Sequence, residues 1–238
     1  MTTPILIIVI LVLSVLMLIA IFIIERSAQK SEKLIKRSTT ILGLSQTNSP
    51  EQPFLDCIVN LFQRSDGRIA ITNIFFDDRL DYRIYLFDLY HWSGNDDTPS
   101  VSSVVSVSSP YLNLPRFSLY SKSNVGGILG TALNKIIHYS ASTEGLTRVA
   151  VGSDPNFDRK YALYGFEVDA IKKTFSDQLL RRLGETENYM IEARGDTLAL
   201  RRFDFEVERS RGDLSSDKIR GLLDDAVRLY ELFKKSRT

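Results

Sequence analysis

The side chains with the clearest chemical potential form a short acidic run, Asp77-Asp78-Arg79-Leu80-Asp81, which matches a DDxxD pattern. In isoprenoid-diphosphate enzymes, such carboxylates lie on a helix and hold Mg²⁺ against a diphosphate. Here the flanking residues favour strands, and neither a second aspartate motif nor a large helical bundle is indicated. The run therefore predicts a polar hairpin turn rather than a metal site.

Thiol chemistry would depend on Cys57, the single cysteine, acting with His91 or His138, which are the two histidines of the chain. Cys57 lies in an apolar run, where thiols are usually buried and inert. No G-x-S-x-G motif occurs, and one cysteine with two histidines does not make a structural zinc set. We therefore predict no catalytic residue, no cofactor-binding residue and no metal ligand.

Three further motifs are better explained by backbone conformation than by function. The run Gly126-Gly127-Ile128-Leu129-Gly130-Thr131 lacks both the lysine of a P-loop and the spacing of the dinucleotide fingerprint. Its glycines indicate a closely packed helix start. Arg194-Gly195-Asp196 and Arg211-Gly212-Asp213 have the composition of turns.

These residues belong to a chain that begins with a long apolar segment, Pro4–Ile24, in which Ser14 is the only polar side chain. At ~1.5 Å rise per residue, a helix of this segment matches the ~30 Å hydrocarbon core of a bilayer. An uncharged start and a Glu25-Arg26 pair directly after the segment are not typical of a cleaved signal peptide. The segment therefore predicts a single transmembrane helix, with a helix buried in a globular core as the alternative.

Positive charge follows this apolar segment, at Arg26, Lys30, Lys33, Lys36 and Arg37. The positive-inside rule then places the N-terminus outside and the C-terminal domain in the cytoplasm. The same cations would each contribute about 1 kcal/mol near an anionic lipid surface. A solvated stalk is the favoured interpretation, and contact with anionic lipid is the alternative.

Composition limits what the rest of the chain does. Its 30 Lys and Arg residues against 29 Asp and Glu residues give a formal net charge of +1, so no overall charge selects nucleic acid. We predict a transmembrane anchor at residues 1–24, a basic stalk and linker at 25–53, and one soluble domain at 54–238.

Periodicity predicts that this soluble domain is α+β, with a mostly antiparallel sheet and helices packed on one face, including a C-terminal helix. Helices are predicted over Phe54–Phe62, Val125–His138, Glu167–Leu183 (with a second N-cap at Ser176 and Gly184 at C′), and a last helix capped by Ser215. Strands are predicted over Arg68–Phe76, Tyr82–Trp92, Ser102–Ser108, Arg116–Ser121, Leu146–Val151, Tyr161–Tyr164, Asn188–Glu192 and Thr197–Arg201. Five side chains of the sheet are predicted to be core, and would mark a partner site if exposed: Tyr85, Phe87, Leu89, Tyr111 and Tyr120.

Three stretches together resemble a family of membrane-anchored bacterial proteins that carry a domain of unknown function. They are Tyr82–Trp92 with its Leu86-Phe87-Asp88 core, the LP-x-F-x-L run Leu114–Leu119, and Asp154–Tyr161 with the Tyr164-Gly165 and Phe175-Ser176 pairs that follow it. The family has a glycine before the LFD strand, where this chain has Asp77–Asp81. The resemblance implies an anchored domain and assigns no residue to a site.

The sequence thus favours a non-enzymatic, single-pass membrane protein. It would contact the bilayer through Pro4–Ile24, and its cytoplasmic domain would bind another protein or serve as an accessory subunit of a membrane complex. The alternative is a membrane-tethered enzyme or lipid-binding domain that uses the acidic loops Asp77–Asp81 or Asp96-Asp97.

Overall fold

Within the residues that the structure describes, one antiparallel sheet of nine strands organises the domain. The computed structural model describes residues 13–15, 17, 33, 35–36, 39–62, 67–93, 99–122, 145–152, 154–186, 189–202 and 215–235. The strands are β1 (Ser45–Thr47), β2 (Gly67–Asp78), β3 (Arg83–Ser93), β4 (Ser100–Ser108), β5 (Leu114–Ser121), β6 (Thr147–Arg148), β7 (Tyr161–Gly165), β8 (Tyr189–Gly195) and β9 (Thr197–Arg202). Their order across the sheet is β1-β2-β3-β4-β9-β8-β5-β7-β6.

Five helices pack on this sheet within the described residues: α1 (Gln52–Phe62), α2 (Pro155–Lys160), α3 (Val168–Thr174), α4 (Asp177–Gly184) and α5 (Ser216–Lys235). The ends of three helices are set by side chains that accept backbone N–H groups. Asp154 accepts from Phe157 N, Ser176 from Leu179 N, and Ser215 from Lys218 N. These caps satisfy donors that a helix start leaves without a partner.

The larger core lies on the face of the sheet that α2 to α5 cover. Alternate residues of each strand point to this face, for example Ile84 and Leu86 of β3. The Phe117 ring of β5 lies edge-on to Phe175, with centroids 5.0 Å apart, and stacks on Phe233 of α5 at 5.6 Å. Burial of these aromatic rings joins the last helix to β5.

The opposite face is covered by α1, so the prediction of helices on one face is wrong. Phe54 of α1 stacks on Tyr85, with ring centroids 3.9 Å apart, and meets Phe87 edge-on at 5.6 Å. Tyr85 and Phe87 alternate along β3 with Ile84 and Leu86, so this strand is apolar on both faces. A strand that is buried on both faces needs a layer on each side.

The predicted α+β character and antiparallel pairing are confirmed within the described residues, as are the helix at Phe54–Phe62 and the capped C-terminal helix. Gly184, however, lies inside α4 rather than beyond it. A Cβ there would lie 3.0 Å from Asp154 Oδ1 and 3.1 Å from Phe157 N, so the residue permits close packing of α2. Strand β1 falls within the stretch predicted as linker, and the predicted helix Val125–His138 lies outside the described residues.

The N-terminal transmembrane helix of the predicted fold requires a correction. In the described part of the chain, no helix combines the length and the apolar character that crossing a bilayer requires. A span needs ~20 consecutive apolar residues, whereas Leu13–Val15 and Met17 are the described, helical residues of Pro4–Ile24. The structure therefore does not show the predicted span.

Candidate functional site

The loops at one end of the sheet, together with the last turn of α5, form a connected surface that we name the hairpin end. It comprises the β2–β3 turn (residues 79–82), the β4–β5 turn (residues 109–113) and Lys234. The Lys234 ammonium lies 2.9 Å from Asp81 Oδ2. The Ser109 hydroxyl donates to the Asp81 carbonyl oxygen at 2.6 Å and lies 3.3 Å from the Tyr230 hydroxyl. Chain segments that are distant in sequence are thus fixed to one another here.

The carboxylates of the predicted acidic loop are all engaged by cations. Asp77 pairs with Arg79 at 2.6 Å, Asp78 pairs with Arg83, and Asp81 pairs with Lys234. The pKa of Lys234 is raised, chiefly by its hydrogen bond with Asp81. Among the described residues, no group of three or more His, Cys, Asp or Glu side chains is arranged to hold a metal ion. β2 ends at Asp78 and β3 begins at Arg83, so the polar hairpin turn is confirmed over residues 79–82, whereas Asp77 and Asp78 lie at the end of β2. Asp96-Asp97 lies outside the described residues.

Exposed apolar side chains stand beside these neutralised charges. Leu80, at the tip of the turn, is 102% exposed, and Tyr111 is 55% exposed. The Lys234 ammonium lies 4.8 Å from the centroid of the Tyr111 ring, a cation–π contact that orients the ring. Tyr111 is the one member of the predicted aromatic core set that is exposed. Tyr85, Phe87, Leu89 and Tyr120 are buried.

The N-terminal part of the chain enters the domain at the hairpin end. Ile35 is buried in the larger core, and the Thr39 hydroxyl donates to its carbonyl oxygen at 2.9 Å. Six residues after Thr39, Ser45 pairs with Phe76 near the end of β2. Lys33 and Lys36 are exposed, whereas Arg26, Lys30 and Arg37 lie outside the described residues. Ile41, on the same approach, is 63% exposed.

Cys57 is placed where its thiol is a poor nucleophile. It lines a cleft of about 220 Å³ with Phe54, Arg83 and Thr197. Burial raises the pKa of the Cys57 thiol, and the Thr197 hydrogen bond opposes this rise as a smaller effect. His91 lies eight residues along β3 from Arg83, roughly 26 Å away at the usual rise of a strand. The structure therefore does not bring Cys57 and His91 together, and His138 lies outside the described residues.

A buried polar cluster on the α1 face was missed by the sequence analysis. Glu192 is 1% exposed; it accepts hydrogen bonds from the Ser118 hydroxyl and, at 3.2 Å, from the Tyr120 hydroxyl. Arg116 Nη2 lies 3.9 Å from Glu192 and donates to the carbonyl oxygen of Leu61, the penultimate residue of α1, at 2.8 Å. Glu192 follows the run Tyr189-Met190-Ile191 and precedes Ala193, and an acidic residue among such apolar neighbours is the signal that would have indicated it. This cluster attaches α1 to the sheet, and its contacts are structural.

The first Arg-Gly-Asp tripeptide is the turn between β8 and β9, as its composition predicted. Gly195 has φ +59°, a left-handed conformation that favours glycine. The second tripeptide lies outside the described residues.

No family model, curated protein or solved structure matches this chain. The resemblance to membrane-anchored bacterial proteins therefore stays a prediction.

Proposed function

We propose that this chain is a non-catalytic interaction module that works against a lipid surface, with the hairpin end as its contact face. The observation that carries the proposal is the full exposure of Leu80 at the tip of a turn whose charges are already paired. Leu80 and Tyr111 are exposed apolar side chains at the same end of the domain, and exposed apolar groups that lie together are suited to an interface.

The composition of the hairpin end fits the headgroup region of a bilayer. Burying a leucine contributes roughly 1.5–3 kcal/mol, and tyrosine rings are enriched at the level of the headgroups. Each carboxylate of the loop has a cation beside it, which lowers the cost of moving the loop toward lipid. The exposed cations Arg79, Lys33 and Lys36 would add attraction to anionic lipid.

One leucine and one tyrosine do not hold a domain at a bilayer. Stable attachment generally needs two membrane signals. The uncharged Pro4–Ile24 segment is the proposed second contact with lipid, since the chain that follows it reaches the domain at this same end. A protein partner, and a cytoplasmic location of the domain, stay predictions.

An enzyme that uses the acidic loop is the less favoured function. A general base or a magnesium ligand needs a carboxylate that is open to its substrate, whereas Asp77, Asp78 and Asp81 each contact a cation. The partly buried thiol of Cys57 has a raised pKa, so it is a poor nucleophile as well.

The experiment is a depth measurement on the full chain with tryptophan as the probe. Leu80→Trp, made in a Trp92→Phe background, is reconstituted into vesicles whose lipids carry bromine near the headgroups. We expect strong quenching of the fluorescence of the indole introduced at position 80, because heavy atoms quench an indole on contact. The native chain provides the matched control, since Trp92 pairs with Arg68 at the opposite end of β3.

We expect Trp92 in the native chain to be quenched little or not at all. Equal emission of the Leu80→Trp chain with brominated and unbrominated lipid would refute the proposal. Equal quenching at both ends of β3 would refute the hairpin end as the contact face.

A further inference from the structure

A second concave site lies beside the last two strands of the described sheet, between the residue after β5, the strands β6 and β7, and α2. It has a volume of about 420 Å³ and is lined by Lys122, Arg148 and Asp158 with apolar walls that include Val149, Phe157 and Leu163. We name it the basic pocket. It shares no lining residue with the hairpin end.

Lys122 is held in this pocket by contacts of its backbone and its side chain. Its N–H donates to the Lys160 carbonyl oxygen at 2.7 Å, just beyond β5. Its ammonium donates to the Asp158 carbonyl oxygen. The pKa of Lys122 is lowered, first by burial and then by the charge of Arg148. The ammonium is therefore partly desolvated beside a second cation.

Arg148, which is exposed on β6, is one of several described cations that have no carboxylate partner. Arg79, Arg83, Arg182, Arg202 and Lys234 each pair with a carboxylate. Arg148, by contrast, forms no ion pair with any residue that the structure describes. Asp158 is the acidic residue of the pocket, and its charge is the smallest of the effects on the pKa of Lys122. The two cations thus repel each other in a concave, partly apolar site.

From this juxtaposition we propose that the basic pocket binds an organic phosphate ester. The phosphate would lie between Lys122 and Arg148, and its organic part would lie against Val149, Phe157 and Leu163. A phosphate monoester carries a charge of about −1.5 to −2 at pH 7, which two cations match better than they match a carboxylate. An arginine fork and a lysine ammonium are the donors that proteins use for phosphate.

Calorimetric titration of the full chain, kept in a non-ionic detergent at low salt, tests this assignment with hexyl phosphate as the probe. We expect one hexyl phosphate per chain, bound at least 10-fold more tightly than inorganic phosphate because of the apolar walls. Arg148→Gln and Lys122→Met should each weaken binding 10-fold or more. Affinity should also fall as the pH rises and Lys122 loses its proton.

Arg159→Gln is the matched control, because Arg159 is an exposed cation of α2 that contacts Asn156 and does not line the pocket. Thermal unfolding of each variant should resemble that of the native chain. An absence of hexyl phosphate binding, or an equal loss in Arg148→Gln and Arg159→Gln, would overturn the proposal.

The source of the phosphate is distinguished by reconstituting the chain into discs of phosphatidylcholine with or without phosphatidic acid. Loss of hexyl phosphate binding only in the discs with phosphatidic acid would identify a lipid headgroup as the occupant. Retained binding in both kinds of disc would identify a soluble phosphate ester.

Discussion

Glu192 shows how a single buried side chain is stabilised by its neighbours. Its two oxygens accept from Ser118 and Tyr120, and the Arg116 guanidinium stands 3.9 Å away. Arg116 Nη1 is buried with no hydrogen-bond partner among the described residues. Removing one member of such a cluster leaves the others desolvated and incompletely paired.

Glu192→Ala should therefore lower the free energy of unfolding by about 3 kcal/mol, the cost of breaking a buried pair from one side. Glu185→Ala is the control, because that carboxylate pairs with Arg182 while both side chains are 58% exposed. An exposed pair should change stability by about 0.5 kcal/mol or less. Urea unfolding of both variants checks this, and similar midpoints would contradict the role given to Glu192.

Residue roles were predictable where the chemistry is local. The caps at Ser176 and Ser215 were predicted correctly because a hydroxyl acts on a backbone group three residues away. The packing role of Gly184 was not predicted, because the residues that contact it belong to α2 and its cap, about 30 residues earlier in the chain. The hairpin end likewise depends on Asp81 and Lys234, which are 153 residues apart, so its turn was predictable and its surface was not.

Two glycines within the strands and helices differ in whether packing requires them. A Cβ on Gly165 of β7 would lie 2.7 Å from the Arg116 carbonyl oxygen and closer still to the Ile171 side chain. A Cβ on Gly221, inside α5, would meet no atom within 4 Å. The strand thus needs its glycine for α3 to pack, and the helix does not.

The same substitution should therefore have opposite effects at these two positions. Gly165→Ala should destabilise by about 1–3 kcal/mol through overpacking. Gly221→Ala should stabilise by about 0.5–1 kcal/mol through helix propensity. Thermal unfolding measures both changes, and two shifts of the same sign would contradict these packing roles.

Most strands of the sheet were predictable, because the alternation of apolar and polar residues and the content of β-branched residues are properties of each strand's own sequence. The missing information was the layer on each face. Tyr85 and Phe87 alternate with Ile84 and Leu86, so the sequence of β3 is apolar throughout. This pattern does not indicate which element covers each face. Strand β1 has three residues and is stabilised by its pairing with β2. Its own sequence carries no pattern that predicts a strand.

For the molecule as a whole, buried phenols limit stability at alkaline pH. Burial raises the pKa of Tyr189, and the nearby Asp225 carboxylate raises it further. Burial also raises the pKa values of Tyr82, Tyr85 and Tyr164. The folded state thus holds these phenols neutral, while the unfolded chain ionises them near pH 10.

Stability should be constant with respect to these groups below pH ~10 and should fall as the pH rises above it. Tyr189→Phe should reduce this fall. The melting temperature between pH 8 and 11, followed together with phenolate absorbance, checks the effect. Ionisation of all 10 tyrosines near pH 10 with the fold intact would contradict it.

Among the residues that the structure describes, the two outermost strands of the sheet bear on how the protein behaves at high concentration. β1 has three residues beside the 12 of β2, and β6 has two beside the five of β7. Just beyond β1, the ladder of β2 with β3 shifts register at a bulge where Asn73 has φ +49°. Short outer strands and bulges make poor templates for strands of another molecule. β1 and β6 are thus poor templates for fibril growth, so copies at high concentration can remain separate.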